Sequence, residues 1–108
     1  MRDMANTLTR LEKVIKSRKD GDSGKSYVAK IFGKGRLKIA QKFGEESVET
    51  IIAALQEDDE ALVGEAADAL FHLLILLADR DVPISDVLAE LERREGKSGL
   101  DEKASRKH

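Results

Sequence analysis

The sequence contains no cysteine and no tryptophan, a single proline, and aromatic side chains at only 4% of its positions. Without cysteine there is neither a disulfide framework nor a thiolate metal site, which favours a reducing compartment. The apolar content is mostly Leu, Ile, Val and Ala, which suits helices better than a sandwich of short strands. No sign of charge dominates. Nineteen basic and 21 acidic residues leave a formal net charge of −2, whereas general nucleic-acid binding normally shows a basic excess. The longest apolar stretch, residues 66–78, contains Asp68 and His72 and is too short to span a bilayer. The N-terminus lacks the apolar core of a signal peptide. These absences argue against a nucleic-acid or membrane partner and for a soluble cytoplasmic protein.

What is present reads as helix. With 108 residues the chain suffices for one domain, 1–108, and buries only a modest core, so self-association is expected. Leu8, Leu11, Val14 and Ile15 fall at helical spacing and predict a first helix over 7–18. The polar run KDGDSGKS (19–26) reads as a loop. It is not a phosphate-binding P-loop, because Lys19 stands where the first glycine is required and no strand precedes it. Ser26 is placed to cap a short helix over 27–32, which Gly33 would stop. Leu37, Ala40, Phe43, Val48, Ile51, Ile52 and Leu55 predict a long amphipathic helix over 36–56.

Acidic EDDE (57–60) supplies a turn and a favourable start for a helix over 59–79. That helix, through ADALFHLLILLA, is apolar nearly all round, and a second copy of the chain would cover what one copy cannot. Pro83 opens a last helix with Val87, Leu88 and Leu91 inward, and a polar tail follows over 97–108. The expected fold is therefore all-α, an antiparallel bundle of about five helices completed by dimerisation.

The stretch GEESVET (44–50) crowds Glu45, Glu46 and Glu49 into little more than one turn, although like charges at i, i+4 disfavour a helix. Glu46 and Glu49 are i, i+3, and in the next helix Glu65 and Asp68 are again i, i+3. Consecutive helices joined by a short turn pack antiparallel, which can bring the two pairs face to face. Carboxylates near an apolar core need a counter-charge or they go neutral. Mg2+, with its oxygen ligands and its habit of sharing itself with substrate phosphates, would supply one. A zinc site lacks its histidine pair or cysteine here, and a di-iron site lacks its Glu-x-x-His motifs. The alternative is a solvated acidic face with ordinary ion pairs.

Glu46-x-x-Glu49 followed by Glu65-x-x-Asp68 resembles the metal signature of the all-α nucleotide pyrophosphohydrolases, the MazG-like superfamily. Within it, SYVAKIFGKG (26–35), KFGEESVETIIAA (42–54), GEAADALFHLLILL (64–77) and SGLDEKASR (98–106) resemble the phosphoribosyl-ATP pyrophosphohydrolase family over most of residues 8–106. Phe71 stands where that family often has tyrosine. The resemblance implies a Mg2+-dependent hydrolysis of phosphoribosyl-ATP to phosphoribosyl-AMP and pyrophosphate, a step of histidine biosynthesis, by a homodimer or higher homo-oligomer. It makes Glu46, Glu49, Glu65 and Asp68 the metal ligands. Glu45 is then a candidate to orient or deprotonate the attacking water.

Ahead of the acidic turn, Lys30, Lys34, Arg36, Lys38 and Lys42 surround two glycines. This cluster could hold triphosphate oxygens, with Lys34, Arg36 and Lys42 as the chosen phosphate-binding residues. The alternative for Lys42 is an i, i+4 pair with Glu46. Tyr27 could stack on a purine or close the short helix against the core, and core packing is the expectation. His72 stands one turn after Asp68, either supporting a metal ligand or simply buried with its hydrogen bonds satisfied. Arg93, Arg94, Lys97 and Arg106 could fold over bound substrate. Two other functions remain open: a house-cleaning pyrophosphohydrolase for nucleoside triphosphates, and a non-catalytic helical dimerisation module.

Overall fold

A computed structural model describes residues 6–22 and 24–96, so the tail over 97–108, including Lys97 and Arg106, lies outside the described residues. The order is α1 (Asn6–Arg18), α2 (Tyr27–Gly33), α3 (Arg36–Gln56), α4 (Asp59–Asp79) and α5 (Ile84–Arg94). The described residues form no strand. The all-α class and the count of five helices agree with the sequence pattern.

The helix ends follow local chemistry. Ser26 accepts from the Ala29 amide at 3.2 Å and starts α2, and Asp58 accepts from the Ala61 amide at 2.9 Å and starts α4. The α2–α3 corner corrects one expectation. Gly33 continues α2, Lys34 caps its end in a right-handed conformation, and the chain turns at Gly35, whose φ is 93°. That left-handed region is one glycine enters without steric cost.

At the end of α4, the Val82 amide donates to Leu77 O at 2.9 Å and the Asp81 amide to Ala78 O at 3.1 Å. With Asp81 at φ 57°, these two bonds make a Schellman motif built on aspartate in place of the usual glycine. Pro83 has no side chain to cap α5. Glu12 of α1 does so instead, its Oε2 accepting from the Ile84 amide at 2.6 Å.

Two residues, Glu57 and Asp58, separate α3 from α4, a link that forces the pair to run antiparallel. The buried core gathers around one end of this pair. Ile15 of α1, Val28 and Ile31 of α2, Ile39 of α3, Leu74, Ile75 and Ala78 of α4, and Ile84 of α5 form one cluster. Val87 and Leu88 pack against it, whereas Leu91 is exposed, contrary to the inward face read from α5. Over residues 48–70, by contrast, Ala53 alone is buried. Val48, Ile51, Ile52, Leu55, Val63 and Leu70 all lie exposed there. By length and mean hydropathy α4 could cross a membrane. Its C-terminal half earns that composition in the core, while its N-terminal half carries Glu65 and Asp68.

Candidate functional site

The answer to the crowded GEESVET turn is partly local. Gln41 donates to Glu45 Oε2 at 2.9 Å, and Lys42 Nζ lies 3.5 Å from Glu45 and 4.0 Å from Glu46. One amide and one ammonium, both a turn upstream, offset the charge of the first two acids. The Gln41 hydrogen bond, with help from Lys42, holds the Glu45 carboxyl below the usual range.

The rest of the answer lies across the helix pair. Glu46 and Glu49 of α3 meet Glu65 of α4, and one oxygen from each lies within 4.8 Å of the others. Glu65 is half-buried, yet its Oε2 is sealed from solvent and has no hydrogen-bond partner. Burial pushes the Glu65 carboxyl up first, and the neighbouring Glu49, Asp68 and Glu46 carboxylates push in the same direction. Buried polar atoms in folded proteins almost always have a partner. A partnerless buried carboxylate oxygen, in a residue grouped with two more carboxylates, is an arrangement that could hold a cation. All the donors are hard oxygens, and the group contains no histidine or cysteine, so the residues fit Mg2+ better than a softer metal. Asp68, one turn beyond Glu65, acts on it electrostatically but stands outside the close group and is exposed.

Behind the acids lies a polar link between helices. His72 is 6% exposed, and its Nδ1 is 2.8 Å from the backbone oxygen of Asp68. A carbonyl oxygen only accepts, so Nδ1 carries the proton. The neutral ring then offers Nε2 as acceptor to the Tyr27 hydroxyl, 2.7 Å away. Burial raises the Tyr27 pKa, which keeps that hydroxyl a donor. His72 therefore touches Asp68 through the backbone and not through its carboxylate. Tyr27, expected in the core, is instead 45% exposed.

Tyr27 and Ile31 form one wall of a pocket of about 250 Å³, and Lys30, Lys34, Lys38 and Lys42 supply its charge. Glu45 lines the same pocket, at the end that adjoins the acidic group. Of the residues chosen for phosphate, Lys34 and Lys42 are thus brought together. Arg36 is not among the lining residues; its Nε donates to the Asp79 carboxylate at the far end of α4. Lys30 and Lys38, left outside that choice, belong to the pocket. A signal for them was present, since 30, 34, 38 and 42 are spaced by four. The helix break at Gly35 hid it.

Fold and donor set together define an all-helical protein with a carboxylate centre beside a cationic pocket. A family model for phosphoribosyl-ATP pyrophosphohydrolase matches residues 8–95, and the chain belongs to that family. A phosphoribosyl-ATP pyrophosphatase of Rhizorhabdus wittichii is 59% identical over 103 residues, covering 95% of this chain and 97% of the relative. One from Novosphingobium aromaticivorans is 62% identical over 99 residues, covering 92% of each chain. Another, from Paramagnetospirillum magneticum, is 61% identical over 99 residues, covering 92% of this chain and 91% of the relative.

Proposed function

We propose that the chain hydrolyses phosphoribosyl-ATP to phosphoribosyl-AMP and pyrophosphate, with Mg2+ held by Glu46, Glu49 and Glu65 and aided by Asp68. The observation that carries this reading is the close group of Glu46, Glu49 and Glu65, in which Glu65 Oε2 is buried without a hydrogen-bond partner, in a chain whose close relatives bear the pyrophosphatase name. When bound, Mg2+ would neutralise phosphate oxygens and stabilise the pyrophosphate leaving group.

The chain's own groups do the rest. Lys42, one turn before Glu46 and already paired with it, meets triphosphate oxygens that the carboxylates would repel. Glu45 is ionised, and Gln41 and Lys42 fix its position. Its lowered pKa makes it a weak base, so its part is to accept a hydrogen bond from the attacking water and aim it at phosphorus. Water adds to the α-phosphorus, the α–β anhydride bond breaks, and the water's protons pass to solvent or to the products.

The working unit is a homodimer. Val48, Ile51, Ile52 and Leu55 make a helical stripe on α3, between 42% and 78% exposed. An apolar face of this extent in a small soluble enzyme marks an interaction surface, and a second copy of the same helix pair would cover it. Histidine biosynthesis in the cytoplasm follows from the substrate.

The test is Mg2+-dependent pyrophosphate release from phosphoribosyl-ATP, run beside a panel of ordinary nucleoside triphosphates. Good turnover of the panel with poor turnover of phosphoribosyl-ATP would replace this substrate by the house-cleaning alternative. Glu49→Gln and Asp68→Asn should each abolish nearly all turnover while keeping the helical fold. Full activity in both would reject their assigned roles.

A further inference from the structure

Phosphoribosyl-ATP carries negative charge at two ends: the triphosphate, and the phosphate of the phosphoribosyl group on its adenine ring. We propose that the lysine pocket receives this second phosphate, and that Lys30 and Lys38 make the site prefer phosphoribosyl-ATP to ATP. The proposal rests on phosphoribosyl-ATP being the substrate.

Position along α3 separates the two anion sites. Glu46 and Glu49 would hold the cation that meets the triphosphate. Lys38 precedes Glu46 by eight residues, which at 1.5 Å per residue is roughly 12 Å along the axis. Lys34 and Lys30 come earlier still, beyond the turn at Gly35. A single triphosphate held at the acids does not need cations so far back. A phosphate on the other side of the nucleoside does.

Charge pairing makes the same division. Lys42, next to the acids, is paired with Glu45 and Glu46. Lys30, Lys34 and Lys38 form no ion pair with any described acid. Three ammonium groups lining one small concavity repel each other, and a dianionic phosphate relieves that repulsion with charge-assisted hydrogen bonds. Glu45 is the one acid on the lining; Gln41 and Lys42 bond its carboxylate, and Lys38 adds a weaker, longer-range attraction without an ion pair.

Size agrees. The pocket, at about 250 Å³, falls below the roughly 300–1,000 Å³ that encloses a drug-sized ligand. It suits one sugar phosphate and not a whole nucleotide. The exposed face of Tyr27, backed by the buried Ile31, offers the ribose an apolar wall.

The test compares ligands that differ by the phosphoribosyl group alone. By calorimetry without turnover, the wild-type protein should bind phosphoribosyl-AMP at least tenfold tighter than AMP. Lys30→Gln and Lys38→Gln should each lower that preference at least fivefold, and Lys38→Arg should keep most of it. In kinetics, each Gln variant should lower kcat/KM for phosphoribosyl-ATP through KM, reducing selectivity over ATP. Lys30 is exposed and Lys38 half-exposed, so the variants should fold, which helical circular dichroism checks. An unchanged preference, or equal losses on ATP and phosphoribosyl-ATP, would overturn the proposal and leave the enzyme reading intact. Failure of the wild-type protein to hydrolyse phosphoribosyl-ATP would defeat the substrate reading and this proposal together.

Discussion

The Tyr27 hydroxyl and His72 Nε2, 45 residues apart in sequence, lie 2.7 Å from one another. Through this bond α2, which carries part of the lysine pocket, is tied to α4, which carries Glu65. The ring of His72 continues the link to the Asp68 carbonyl. The same pair therefore joins the helix that carries part of the cationic pocket to the helix that carries Glu65.

Tyr27→Phe tests that link. It keeps the ring contacts with Phe71 and His72 and removes the donor that Nε2 has among the described residues. A buried acceptor left without its donor costs about 1–3 kcal/mol. Chemical denaturation should show a loss in that range, and KM for phosphoribosyl-ATP should rise. Unchanged stability and KM would mean that the bond does not hold the two helices in register.

Metal occupancy should be visible in stability. A ligand that binds only the folded state stabilises it by about 2.7 kcal/mol at 100 times its dissociation constant, so Mg2+ should raise the melting temperature. Glu65→Gln removes the buried carboxyl group and, on the proposed reading, one metal ligand. We expect the metal-free variant to be at least as stable as wild type, with the Mg2+ shift largely gone. A full Mg2+ shift in the variant would place the ion elsewhere.

Ile51→Glu puts a charge in the middle of the exposed α3 stripe. Sedimentation should find the wild-type protein dimeric and the variant shifted to monomer, with helicity preserved in the core end of the bundle. A wild-type protein that sediments as a monomer at micromolar concentration would refute the dimer.

On α5, Arg93 and Arg94 both bond the Glu90 carboxylate, lowering its pKa to about 2. A group whose folded pKa is depressed stabilises the fold above its unfolded value, near 4.5, and loses that contribution as pH falls toward 2. Carbon-detected NMR titration should place the Glu90 midpoint near 2, and Arg93→Gln should move it upward. A midpoint near 4.5 in the wild-type protein would show that the pairing does not persist in solution.

Much of this architecture was legible in one dimension. The apolar periods marked α3 and α4 at 36–56 and 59–79, the bounds that the structure has. EDDE marked the turn between them. The i, i+3 spacing of the acids placed each pair on one helix face. Periodicity is a property of neighbours three and four apart, and a sequence displays it directly.

Contacts across helices depend on packing, and no local pattern states them. The tertiary structure decided that Glu65, not Asp68, completes the close carboxylate group, and that its Oε2 has no partner. It also decided that Asp79 takes Arg36, that Glu12 caps α5, and that Gly35 turns the chain after α2. In each case the partner lies on another element, or the backbone angle answers to where two helices must meet. Side-chain spacing dictates which residues share a face; the crossing of the helices selects which of them touch.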